Sequence, residues 1–231
     1  MLKSTLTFFI LSAITHLTAQ VKTVTFSDFD ELSVSTSISV ELIPSTENKA
    51  DISVTNGDID DLIVKQSDDE IDFHFKSSMW GKKNNNRKAE ITLYYTTGLE
   101  SIELDAGANV YSDKLMETSS LTMDVNSGAR LDLIVNADKI SSDVNSGGRV
   151  ELEGISNTLI LDVSSGGHFD GADLESKTVE AVANSGGYAK VFASESIDAR
   201  ANSGGAIKYK GEPKTKNIKK DKYSGGSVKK M

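Results

Sequence analysis

Three aspartates, Asp124, Asp143 and Asp162, recur at one even spacing, each two places before an Asn or a Ser. Carboxylates repeated in this way suit calcium, a hard cation that takes oxygen ligands. If the repeat stacks them about 5 Å apart along a β-structure, each adjacent pair repels by roughly 1 kcal/mol even in water, and a bound cation would relieve that. The row reads equally as a solvated acidic stripe: it continues as Val182 and Arg200, and the glycine-rich calcium repeat GGxGxD is absent. Calcium is the one cofactor the sequence raises; it calls for no other.

A second row, Arg130, Arg149, His168 and Tyr188, follows the first set of positions at a constant offset along the chain. A guanidinium grips a carboxylate in a two-pronged hydrogen-bonded fork, which suits uronates. The imidazole and phenol add partners for sugar hydroxyls. Asp132, Glu151, Asp170, Lys190 and Lys208 run beside this row, so ion pairs between neighbouring repeats are the competing reading. The only tryptophan, Trp80, opens a basic, Asn-rich stretch that ends at Lys88. It reads as a sugar- or anion-contacting loop, or as a hairpin loop with the indole packed at its base.

Catalysis finds little support. There is no cysteine, and after residue 20 the only histidines are His74 and His168, with no GxSxG elbow or HExxH helix beside them. Glycoside cleavage by paired carboxylates needs a set separation and one carboxyl of raised pKa, hence a partly enclosed cleft. Repeats with short turns build none, so no residue is assigned a catalytic role. The expectation is a binding or structural module, with a polysaccharide lyase or hydrolase as the alternative.

The rows exist because the chain repeats. DAGANV (105–110), VNSGAR (125–130), VNSGGR (144–149), VSSGGH (163–168), ANSGGY (183–188), ANSGGA (201–206) and a degenerate YSGGSV (223–228) share one frame. Their first glycines are Gly107, Gly128, Gly147, Gly166, Gly186, Gly204 and Gly225. The intervals between them are nearly equal, at about 20 residues, a period that marks a repeat architecture. Around them apolar residues alternate with period two, as in Leu121, Met123 and Val125 before a turn and Leu131 and Leu133 after it. A unit this short holds no helix with its strands and turns, but fits one coil of a parallel β-solenoid. Asn and Gly tolerate the left-handed backbone of a tight corner. The serines between them, Ser127, Ser146, Ser165, Ser185 and Ser203, are expected to face inward. The Asn row, Asn126, Asn145, Asn184 and Asn202, is expected to stack as an amide ladder.

The rest of the chain supplies context. Residues 1–19 combine Lys3, an apolar run and Ala19, the pattern of an export signal; no stretch is long and apolar enough for a membrane span. The signal implies export to the periplasm, the outer surface or the medium. Segments 34–44, 50–55, 61–66, 70–75 and 89–95 read as strands of broader opening coils or a cap of the same solenoid, with a separate small β-domain as the alternative. From Val21 to Ile207 acidic residues outnumber basic ones about twofold, whereas Lys208–Met231 is rich in lysine and nearly free of acids. A net charge of -9 excludes a general nucleic-acid binder. The basic tail reads as a lure for an acidic surface or as a guard against end-to-end stacking of strands.

FSDFDELSVSTSISVELIP near the start, GLESIELDAGANV in the middle and the serial NSGG turns resemble the head GIN domain family, whose name ties it to autotransporter adhesins. The resemblance implies an exported parallel β-helix with an adhesive role, and carries no catalytic or ligand residues. The full expectation is an all-β, single parallel β-solenoid with coils of about 19 residues. Its hand is expected to be right, by the preference of parallel crossovers. It divides into a signal peptide (1–19), a solenoid domain (20–228) and a tail (229–231). The domain comprises irregular opening coils (20–100), regular coils (101–210) and a degenerate last coil (211–228). Its partners are expected to be an envelope or extracellular glycan or protein, with open ends available for homo-oligomers.

Overall fold

The computed structural model describes residues 20–55, 57–76, 87–220 and 225–231. The expected export signal and Trp80 with the loop to Asn86 lie outside the described residues.

The period-two pattern becomes strand throughout. The N-terminal portion holds β1 (Gln20–Thr25), β2 (Glu31–Ser35), β3 (Ile38–Pro44), β4 (Lys49–Thr55), β5 (Leu62–Ser67), β6 (Glu70–Phe75), β7 (Lys88–Tyr95) and β8 (Ser101–Asp105). The repeats give β9 (Asn109–Val125), β10 (Arg130–Val144), β11 (Arg149–Val163), β12 (His168–Ala183) and β13 (Tyr188–Ala201). β14 (Ala206–Lys210), β15 (Thr215–Lys220) and β16 (Ser227–Lys230) close the stack. No α-helix occurs among the described residues.

Each long strand is a whole coil bent once. In β10, Leu131, Leu133 and Val135 are buried, then Ile140, Ser142 and Val144. The buried parity flips from odd to even across residues 136–139, so the chain turns a corner there. The NSGG turn makes the opposite corner, and each coil adds one rung to each of two sheets around a common core. The first sheet runs β1-β4-β7-β3, then the leading halves of β9 to β13, then β14 and β16. The second runs β5-β6-β2-β8, the trailing halves of β9 to β13, and β15. Coils pair in parallel register, Arg130 with Arg149 and Val144 with Val163. The uneven repeat lengths are absorbed away from the NSGG turn, by register shifts such as that between Gly171 and Glu175.

The turn explains its own composition. In the third repeat Ser146 has φ 50° and Gly147 φ 77°, and the Gly148 N–H donates to the Asn145 carbonyl at 2.7 Å. Positive φ at both central residues marks a type I′ turn. All seven first glycines lie at φ 75–78°. The serines do not face inward: Ser127, Ser146, Ser165, Ser185 and Ser203 are exposed. As the leading residue of the turn tip, each is held away from the core. The position that does face inward is the one after the first glycine, Ala129, Gly148, Gly167, Gly187 and Gly205. A Cβ on Gly148 would meet the Val125 carbonyl of the preceding coil at 2.1 Å.

Candidate functional site

The outer side of the first sheet brings Arg130, Arg149, His168 and Tyr188 into one row, each paired in register with the next. The alternation that buries Leu131, Val150, Phe169 and Ala189 sends these four to solvent. The His168 and Tyr188 rings stack, with centroids 4.9 Å apart and planes inclined by 26°. Lys208 Nζ stands 5.7 Å from the centroid of the Tyr188 ring, within cation–π range. Partial burial lowers the His168 pKa, and the positive charges of Arg149 and Lys190 lower it further, against the opposing pull of Asp170. The imidazole is therefore neutral at neutral pH, an aromatic surface with hydrogen-bonding capacity.

The adjacent outer row is Asp132, Glu151, Asp170, Lys190 and Lys208. One cross-coil ion pair forms within it, Lys190 Nζ to Asp170 Oδ2 at 2.6 Å. Among the described residues the arginine ion pairs are those of Arg87 and Arg200, and Arg130 and Arg149 are exposed. The competing ion-pair reading accounts for Asp170 and Lys190, not for the arginines.

On the second sheet Asp124, Asp143 and Asp162 are also paired in register. Burial raises the Asp143 pKa, as do the charges of Asp124 and Asp162, while the hydrogen bond from Asn145 lowers it. The Asn126 and Asn145 side chains donate to the aspartates two residues behind them on their own coils. The amide ladder is thus interrupted: neighbouring coils are joined by Ser164 donating to Asn145 and by Asn202 donating to Asn184 at 3.3 Å. Among the described residues no set of three or more His, Asp or Glu side chains converges on a point that would hold a metal ion. The row begins one coil earlier than the sequence reading placed it, at Glu103, paired with Asp124. Its signal was available, since Glu103 precedes Asp124 by the same interval that separates Gly107 from Gly128.

One feature had no sequence signal. Upstream of Arg130 the first sheet continues through Asn109 and Ser39, and there a hollow of about 400 Å³ is lined by Tyr111, Glu41, Glu90, Asp51 and Val21. Partial burial and the charges of Glu41, Glu90 and Asp113 raise the Tyr111 pKa. These residues come from five strands of no common repeat, and register alone unites them. Elsewhere, His74 is a strand residue bonded through Nδ1 to Asp72 at 3.0 Å.

Residues 28–213 match the family described as "Putative auto-transporter adhesin, head GIN domain". The chain belongs to this family. Its fold is shared by a "putative adhesin" from Bacteroides fragilis, at 22% identity and TM-score 0.84 over 94% of this chain and 98% of that one. A "putative adhesin" from Parabacteroides distasonis aligns at 18% identity and TM-score 0.70, over 93% and 97% of the two chains. A "putative lipid binding protein" from the same species aligns at 17% identity and TM-score 0.68, over 92% and 96%. No curated protein matches the sequence. No helix among the described residues is long and apolar enough to cross a membrane.

Proposed function

We propose that this head GIN domain protein is an exported, non-catalytic adhesin-like module of the cell envelope that engages an acidic glycan along the outer face of its first sheet. The observation that carries this reading is the register of Arg130 and Arg149, free of ion pairs among the described residues, with the stacked His168 and Tyr188. Arginine forks on successive coils lie about 4.8 Å apart and offer repeated carboxylate contacts, while the ring pair offers a flat surface for a sugar. Each contact is weak and exposed. Affinity comes from their number, because each bound unit raises the effective concentration of the next. Family membership supports the adhesive role.

The test is a glycan-array screen with and without calcium, followed by incubation of each hit to look for cleavage. Selective binding to acidic polysaccharides that weakens in Arg130→Ala and Arg149→Ala supports the reading. Cleavage of a hit would replace it with a polysaccharide lyase or hydrolase. Binding that needs calcium would bring the Asp124, Asp143 and Asp162 row into the site. No selective binding under either condition rejects the glycan partner.

A further inference from the structure

Among the described residues the two ends of the stack differ in charge and each has strands paired on one side only: lysines dominate the C-terminal end, and acidic residues outnumber Lys22 of β1 and Lys65 of β5 at the other. Towards the C-terminal end the sign changes at the same coil on both sheets. On the first sheet Asp132, Glu151 and Asp170 give way to Lys190, Lys208 and Lys229. On the second, Asp124, Asp143 and Asp162 give way through Val182 to Arg200 and Lys219. Among the described residues the last strands there, β15 and β16, are each paired on one side only. At the other end the last strands are β1 and β5, again paired on one side only among the described residues. A short 3-10 helix before β5 and the turn after it bear Asp58, Asp60, Asp61, Asp68 and Asp69, of which Asp61 is paired with Arg87 at 3.6 Å.

Among the described residues six large apolar side chains are exposed; Tyr111, Leu115 and Ile155 lie on β9 and β11, and the other three lie at the ends. Val21 in β1 is 71% exposed, Ile218 in β15 is 38% exposed, and Met231, directly after β16, is 47% exposed. Strand direction adds a constraint. β1 is antiparallel to β4, β4 is antiparallel to β7, and β7 is parallel to β3. β1 therefore runs with the first-sheet strands of the coils and with β16. β5 is antiparallel to β6, so it runs against the second-sheet strands and β15.

We infer that the partner of these ends is a second copy of the chain, docked head to tail. The lysine-bearing end of one copy sits on the aspartate-bearing end of the next, with β16 beside β1 in parallel; the second sheet has one strand fewer, so β15 faces β5 in antiparallel orientation across a gap one strand wide. Like charges oppose the two alternatives, lysine end on lysine end and aspartate end on aspartate end. Edge lysines thus guard against indiscriminate pairing while leaving one orientation open. A head-to-tail contact does not close on itself, so it builds linear arrays. The outer face of the first sheet stays free along such an array, and the inference does not depend on what that face binds.

Sedimentation velocity of the purified protein across a wide concentration range tests it. At low salt the weight-average sedimentation coefficient should rise with concentration, and at high salt it should fall back toward the monomer, because screening shortens the reach of the end charges. A variant carrying Lys216→Glu, Lys219→Glu and Lys229→Glu should stay monomeric, as should one carrying Asp60→Lys, Asp61→Lys and Asp69→Lys. Mixed in equal amounts, the two should associate again, since each supplies the end the other lacks. Far-UV circular dichroism checks that both are folded. A wild-type chain that stays monomeric throughout, or a mixture that does not recover association, overturns the inference. So does capture of the monomer by phosphatidylglycerol vesicles without self-association, which assigns the lysine end to an anionic lipid surface.

Discussion

The N-terminal portion and the repeated coils share one core and two sheets, yet they reach them by different means. In the coils the corners repeat one glycine turn, and every strand meets its neighbour in parallel register. In the N-terminal portion β4 reverses direction between β1 and β7, β5 and β6 form a hairpin across Asp68-Asp69, and the step from β2 to β3 turns at Thr36 with φ 63°. Repetition places like on like, and so yields rows of arginines, aspartates and aromatic rings. Without it, the same face yields a hollow of unrelated residues around Tyr111. The chemistry of the coils is therefore extended and graded, and that of the N-terminal portion is local.

The largest effects are expected in the core. Val144 is fully buried in the coils, and Val144→Asp should destabilise the chain by about 4 kcal/mol, the cost of an unpaired buried charge. Phe73, fully buried in the N-terminal portion and edge-on to Phe26, should cost a similar amount, about 3–5 kcal/mol, when changed to Ala. Urea titrations of both variants should show one transition if the two regions unfold together, and two if they do not.

Next come the corners. Gly148→Ala places a Cβ against the Val125 carbonyl and should cost about 3 kcal/mol, the upper end of what overpacking does. Gly147→Val has open space around it but φ 77°, and should cost about 1–2 kcal/mol for the left-handed backbone. Equal losses at the two sites, read from denaturant midpoints, would mean that contact and backbone conformation are not distinguished here.

A smaller effect of opposite sign belongs to Tyr95. Its buried hydroxyl has no hydrogen-bond partner among the described residues, and burial pushes its pKa up to about 12. Tyr95→Phe should therefore raise stability by up to about 1 kcal/mol; a loss would reveal a partner for the hydroxyl.

The smallest effects lie on the exposed rows. The Asp143 pKa is raised in the folded chain, so the fold binds that proton more tightly than the unfolded chain does. Its repulsion is felt above the raised pKa and vanishes as pH falls below the ordinary carboxylate value. Asp143→Asn should gain under about 0.5 kcal/mol at neutral pH, because water screens the row, and nothing in acid. For His168 the folded pKa is lowered, so its contribution is complete above the ordinary imidazole value and is lost as pH falls toward the folded one. Thermal melting across this pH range should show the loss in the wild type and not in His168→Phe.

Much of this was legible in the sequence because repetition makes register visible. The spacing of Gly107 through Gly225 set the coil, and period two then assigned Arg130, Arg149, His168 and Tyr188 to one outer row. What escaped was conformation at single residues. The segment 34–44 reads as one strand, yet it breaks at Thr36 and serves both sheets. A β-branched residue at positive φ gives no warning of a turn. The inward serine assignment failed because two successive left-handed residues put Ser146 at the tip and Gly148 underneath. The Tyr111 hollow escaped because pairing across five dissimilar strands cannot be read from any one of them.

Whether the repetitive face binds by accumulation can be read from the affinity of the protein for acidic oligosaccharides of increasing length, measured by calorimetry for the wild type and for Arg130→Ala, Arg149→Ala and Tyr188→Ala. Affinity should climb with each added sugar and fall by a modest, similar factor in every variant. Affinity independent of length, or lost entirely through one substitution while the others have no effect, would contradict it and point to a single discrete site.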